Sequence, residues 1–414
     1  MKCLNFLLLI FFVVFCISCK ESTEPNNNDL PPPGFQEYIP WPSLAESSWP
    51  RDHGDAQSTG RNKYPGPITG SVGWSIDTVS LNCGISMGED ASIYFSTCQY
   101  DYKSRLYKVS LQGEIIWSFD TGKTISNNTT PMVTNDGTII ASNGLGGIIF
   151  AINSDGSLKW RYDIKEWIQH RGINIGKDGT IYVVDVKKTL YAINQTGNLL
   201  WTLSLEDVNN HGCQGISFSP DGNTLYIRGM YTALIAVDIN TKSIKWTFGD
   251  KEMSGGSTPV VNSDGQVFIL GIPLESDGLQ ASLTALNSTG EIEWRYFFGE
   301  LKDVVTYYAP TIDKQGNIFF AHDSLYALNY LGDLNWKLDI PSWPLGALTC
   351  DMNDIVYIPV SPDWKKAQVL AYDTAGNFIW ESELMNGTCG ESMALGNGYL
   401  VLPTHWSESL YMIE

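Results

Sequence analysis

The chain has 414 residues, 43% of them hydrophobic, and a formal net charge of −19. This apolar content permits a large core. The acidic balance repels phosphate backbones and anionic lipid head groups, which argues against nucleic-acid partners and against electrostatic attachment to membranes.

Lys2 precedes an apolar run from Leu4 to Ile17, broken only by Asn5 and followed by Ser18-Cys19-Lys20-Glu21. Residues 1–18 therefore read as a secretory signal, too short to span a bilayer. Cys16-Ile17-Ser18-Cys19 resembles a bacterial lipobox with Cys16 in the usual leucine place, which makes Cys19 the expected site of lipidation. Residues 19–40, rich in Asn, Glu and Pro, are expected to be a disordered tether reaching roughly 65 Å when extended. A lead-in follows at 41–70. The expected location is extracytoplasmic, anchored by lipid to the outer membrane or cell surface rather than to the inner membrane.

From residue 71 the chain repeats. Trp74, Trp117, Trp160, Trp201, Trp246, Trp294, Trp336 and Trp380 are spaced 43, 43, 41, 45, 48, 42 and 44 residues apart. Such a period marks a closed or stacked repeat architecture. The stretches before them repeat too: LYKVSLQGEIIW, IFAINSDGSLKW, LYAINQTGNLLW, LTALNSTGEIEW, LYALNYLGDLNW and VLAYDTAGNFIW, with a longer copy, LIAVDINTKSIKW. Each reads as an alternating strand, an Asn or Asp turn, and a second strand carrying the tryptophan. About 20 residues earlier stands another turn, as at Asp136-Gly137, Asp178-Gly179 and Asp221-Gly222, with the sequence chemistry of a type I′ turn. The expected fold is all-β, an eight-bladed β-propeller of four-stranded antiparallel blades over 71–414.

The ends predict the closure. Ser409–Glu414 matches the third strand of a repeat and stops before its tryptophan strand, whereas Ser71–Asp77 is a tryptophan strand without the preceding three. The last blade is therefore expected to be completed by the N-terminal strand, so that no sheet edge is left open. The eight periodic tryptophans are assigned to the core, filling the wedges between sheets.

These repeats resemble those of the pyrroloquinoline-quinone-type (PQQ-like) propeller family, and His53-Gly54-Asp55-Ala56-Gln57-Ser58-Thr59-Gly60-Arg61 resembles the lead-in of such proteins. The resemblance implies two readings. One is a non-catalytic binding or scaffold module at the cell envelope. The other is a PQQ- and calcium-dependent dehydrogenase of alcohols or sugars, needing an acid-base group beside a metal-polarised quinone. Glu166, Arg171, Asp207, Lys302 and Asp303 are of suitable types, yet none matches a catalytic position of the family. No cofactor and no metal site are therefore expected.

Sorting loops by face gives the candidate site. The turns joining strands one-two and three-four are short and polar, with Tyr330 their one aromatic. The opposite face, made of two-three loops and blade-to-blade connections, collects Trp167, Trp343, Trp364 and Trp406, with Phe297, Phe298, Tyr307 and Tyr308 nearby and His170, His211, His322 and His405 close by. Aromatic enrichment on one rim points to a binding face for an envelope protein or glycan, with Trp167, His170, His211, Tyr307, Trp343, Trp364 and Trp406 as its candidate residues. A monomer is expected. Among Cys83, Cys98, Cys213, Cys350 and Cys389, two disulfides are candidates, Cys83–Cys98 across a hairpin and Cys83–Cys389 between neighbouring blades.

Overall fold

A computed structural model describes residues 31–77, 81, 83–97, 104–122, 129–205, 213–229, 234–249, 257–272, 280–300, 308–405 and 409–414. Residues Gly34–Glu414 form one compact unit. Its β-strands build eight sheets, seven of four antiparallel strands and one of six. In chain order the blades are 1 (Ser86–Gly122), 2 (Met132–Asp163), 3 (Ile168–Ser204), 4 (Cys213–Phe248), 5 (Val260–Glu300), 6 (Thr311–Leu338), 7 (Trp343–Asn386) and 8 (Ala394–Ile413). Val72–Asp77 is the outermost strand of blade 8 and pairs antiparallel with Ser409–Ile413, with Ser75 opposite Tyr411. The expected ring and its closure are both present.

Burial falls from the axis outward. In blade 3, Ile181–Asp185 is wholly buried, whereas the outermost strand Leu199–Ser204 alternates between exposed and half-buried residues. That alternation is the period-two signature of a strand with one face on the next blade and one in water.

The periodic tryptophans sit further out than a core assignment requires. Seven are half-buried, and only Trp380 is buried, at 8% exposure. Each lies on an outermost strand, and six of them clamp the following blade through the indole N–H. The Trp160 indole N–H donates to the Gln195 carbonyl at 2.8 Å, and Trp74, Trp117, Trp246, Trp294 and Trp336 make the equivalent bond to Leu111, Ser154, Ser288, Tyr330 and Thr374. Two residues beyond each acceptor is a glycine with positive φ whose missing side chain makes room for the ring. A Cβ on Gly197 would lie 2.7 Å from Trp160 Cδ2. Gly70, in the lead-in, fills that role for Trp380. In the longer turn of blade 4, Lys242 rather than a glycine holds the positive φ.

The Asp-Gly turns also differ from the type I′ form. Gly137 N–H bonds the Thr134 carbonyl, and Gly137 alone has positive φ, so the loop is a type I turn closed by a left-handed glycine. The Asp136 carboxylate fixes it by accepting from the Thr138 amide at 3.1 Å.

Residues 34–70 make the largest departure from a plain ring. The ordered segment starts before the expected boundary at 41, since the Gln36 amide donates to Lys314 on blade 6 and Gly34 packs on Tyr330. The lead-in then crosses the channel mouth on the face of the one-two turns and bonds the innermost strand of every blade. Trp49 O accepts from Met87, Pro50 O from Val133, Ala56 O from Phe218, Gln57 O from Val261, Thr59 O from Ile312 and Gly60 O from Cys350. Blades 3 and 8 are reached through side-chain amides, Asn174 to Ala56 O at 3.0 Å and Asn62 to Leu395 O at 2.9 Å. Those strands thereby satisfy backbone groups that a bare channel would leave to water.

Candidate binding face and channel

Among the described residues, blade 7 carries the two most exposed tryptophans of the other face. Its central strands Ile355–Asp363 and Lys366–Asp373 run past the four-stranded body, and two short strands, Trp343–Pro344 and Met385–Asn386, pair with their distal ends. Trp343 lies opposite Ser361, and Trp364 sits at the hairpin tip. Trp343 is 66% exposed and Trp364 75%. Trp167, in the connection entering blade 3, is 56% exposed. Phe297 is exposed, but Phe298 is buried against Phe320 and belongs to the core.

His170 lies on the innermost strand Ile168–Ile175 of blade 3; its side chain is not among those described. His211, Tyr307 and Trp406 fall outside the described residues, as do Asp207, Lys302 and Asp303. The seven candidates are therefore not brought together as one described cluster. Three exposed tryptophans on one face are what the structure places.

Inside the channel is a charged group that periodicity did not announce. Arg171 of blade 3 stands between Asp52 of the lead-in, 3.7 Å away, and Glu391 of the connection into blade 8, 3.5 Å away. His405 Nε2 is 3.8 Å from Glu391. Burial raises the Asp52 carboxyl, but Arg171, Arg51 and His53 together outweigh it and hold Asp52 below the ordinary carboxylate range. Burial also opposes the Arg171 charge, and Glu391 and Asp52 restore it. Burial alone lowers His405, and it pushes the Tyr308 hydroxyl up to about 12, with the Glu391 charge adding to the effect. Arg171 and His405, both singled out in the sequence, were the signals for this cluster. Asp52 and Glu391 sit in irregular segments and gave none.

The lead-in closes the opposite mouth with its own network. His53 bonds two carbonyls, Ser58 at 2.6 Å and Leu348 at 3.0 Å, and Arg51 bonds Ser58 Oγ at 2.9 Å. Outside it lies a pocket of about 360 Å³ walled by Tyr38, Trp41, Pro42, Lys63 and Glu89.

Cys389 is a free, buried thiol bonded to the Val360 carbonyl, so a Cys83–Cys389 disulfide does not form. Cys98 lies outside the described residues. Among those residues no helix is long and apolar enough to cross a membrane.

Known structures share this architecture at low identity. BamB from Moraxella catarrhalis aligns with TM-score 0.62 and 13% identity, over 83% of this chain and 99% of that one. Quinohemoprotein alcohol dehydrogenase from Comamonas testosteroni gives 0.67 and 12%, over 90% and 81%. A europium-containing methanol dehydrogenase gives 0.66 and 11%, over 89% and 98%. No curated protein sequence matches the chain significantly. A family model described as "Outer membrane protein assembly factor BamB" matches residues 102–217 and 196–363, together more than half the chain. On that match the chain belongs to the PQQ-like propeller family of outer membrane protein assembly factor BamB.

Proposed function

We propose that this propeller is a non-catalytic binding module of the cell envelope that takes a protein or glycan partner on the face of its two-three loops and blade connections. The observation that carries the reading is the asymmetry of the faces. One is sealed by the lead-in, and the other exposes Trp167, Trp343 and Trp364. Large exposed aromatics surrounded by polar groups are the side chains that dominate binding energy at interfaces. Family membership supports an envelope setting, with attachment through a lipidated Cys19 as the expected anchor.

The test compares cross-linked complexes from envelope extracts for the wild type and for the double variant Trp343→Ala/Trp364→Ala. The expected result is loss of one defined complex with thermal stability nearly unchanged. An unaltered complex, or a matching fall in stability, would sink the reading.

Likeness to quinone-dependent dehydrogenases favours a second reading only through the fold. The described residues fit a calcium-bound quinone poorly. No three of their His, Cys, Asp or Glu side chains stand together as ligands, and Asp52 and Glu391 are held by Arg171. Calorimetric titration with PQQ and calcium is expected to give no saturable heat, and one-to-one binding would revive the enzyme reading.

A further inference from the structure

Three Asn-Gly pairs occur in the chain, at Asn143-Gly144, Asn386-Gly387 and Asn397-Gly398. Such a pair can convert without an enzyme, asparagine being among the thermolabile residues. The glycine nitrogen, on losing its proton, attacks the asparagine Cγ. A C–N bond forms, the side-chain amide C–N bond breaks and ammonia leaves. Water then opens the cyclic imide at either carbonyl, giving an aspartate or an isoaspartate. Glycine favours the attack because no Cβ shields its nitrogen.

The fold treats the three pairs differently. The Asn143 side chain is 3% exposed and bonded at both ends, donating to the Thr121 carbonyl at 3.1 Å and accepting from the Ile148 amide at 3.0 Å. Asn386 lies in a short strand of blade 7 opposite Lys366, whose ammonium donates to its side-chain oxygen at 2.8 Å, and the Gly387 amide donates to the Lys365 carbonyl at 2.9 Å. Neither side chain can swing onto the following nitrogen without breaking these bonds. Asn397 and Gly398 are instead both exposed, at the tip of the one-two turn of blade 8. A Cβ added to Gly398 would meet nothing within 4 Å, so nothing packs over that side of the turn.

One bond restrains the Gly398 nitrogen. Its N–H donates to the Pro65 carbonyl of the lead-in at 2.8 Å and is freed when that contact opens locally. The same stretch of the lead-in holds blade 8 through the Asn62 side-chain amide, which donates to the Leu395 and Gly396 carbonyls at 2.9 and 3.0 Å. The Gly396 amide donates to the Tyr399 carbonyl across the turn at 2.8 Å, which leaves no slack for the extra backbone methylene of an isoaspartate.

We propose that Asn397-Gly398 is a site of spontaneous deamidation, and that conversion to isoaspartate loosens the hold of the lead-in on blade 8. The reaction consumes only water and adds a negative charge to the turn. It is independent of any partner on the rim.

The test is incubation of the full chain for several weeks in mildly alkaline buffer, followed by peptide mapping with mass spectrometry and enzymatic labelling of isoaspartate. In the folded chain, conversion is expected to be about tenfold or more faster at Asn397 than at Asn143 and Asn386, and in the chain unfolded by urea the three are expected to convert at similar rates. Asn397→Gln is expected to stop the reaction at this position and to leave the initial melting temperature unchanged. After incubation, the wild type should show faster hydrogen exchange at the Asn62 and Gly66 amides, which bond Cys350 and Asp351, and Asn397→Gln should not. Conversion at Asn397 no faster than at the other two in the folded chain, or conversion without faster exchange in the lead-in, overturns the proposal.

Discussion

Trp160 joins two blades through one ring. Its indole N–H reaches Gln195, and its face lies on Gly197. The ring is half-buried, so Trp160→Ala should cost about 2 kcal/mol, below the range for fully buried aromatics. Trp160→Phe keeps most of the contact, loses the hydrogen bond and should cost about 1 kcal/mol. Urea unfolding of both variants checks the order, and equal losses would show that the indole bond contributes nothing. Asp313, buried in the one-two turn of blade 6, has its carboxyl raised to about 6 by burial, against an ordinary 3.8, although the Asn317 side chain and backbone bonds oppose the shift. The folded state thus holds this proton more tightly than the unfolded chain, and the cost of ionising Asp313 grows as pH rises from 3.8 to about 6. Relative to Asp313→Asn, the wild type should lose stability over that interval and run parallel to the variant above it. Unfolding measured across the pH range decides, and parallel curves throughout would contradict the raised carboxyl.

The lead-in sets the limits of what a sequence period can reveal. Each blade was legible because it repeats. Alternating apolar strands, turn glycines and one tryptophan per copy all report the same local geometry. The lead-in occurs once and has no alternation. Its function rests on carbonyls from Trp49 to Gly60, which any residue type supplies, so only the resemblance of His53–Arg61 hinted at it. Its side chains nonetheless matter. Trp49 is wholly buried against blades 1 and 8, and Trp49→Ala should cost about 3–5 kcal/mol. Gly60 has φ 67, and a Cβ there would lie 2.6 Å from His53 Nε2, so Gly60→Ala should also destabilise. Differential scanning calorimetry tests both, and unchanged melting would mean that the lead-in is only loosely held. The channel cluster stayed hidden for the same reason. Its charges come from four separate segments that meet only when the ring is closed, and a one-dimensional pattern carries no record of that meeting.

The whole ring depends on two non-local joins. Val72–Asp77 closes blade 8, and the lead-in ties the inner strands together. A chain beginning at residue 79 would lack both and present unpaired edges on blade 8. It should yield little monomer by size-exclusion chromatography, and a well-folded monomer would show that neither join is needed. The blade count, strand pattern and closing strand were all readable in the sequence, because each is a consequence of local period and of where the period is cut. The six-stranded sheet of blade 7 was not, since its extra strands are only two residues long.

The lead-in also imposes an order in time. Residues 34–77 are made before every blade they bind, and their last partners, Leu395 and Ser409–Glu414, lie at the opposite end of the sequence. Seven blades can form their own hairpins as they emerge, but the segment that seals the channel must wait through the synthesis of over three hundred residues. Contacts of such separation are slow to form. The earliest part of this fold is thus the last to be satisfied, and until then its apolar residues, Trp41 and Trp49 among them, remain open to chaperones, proteases and other copies of the chain.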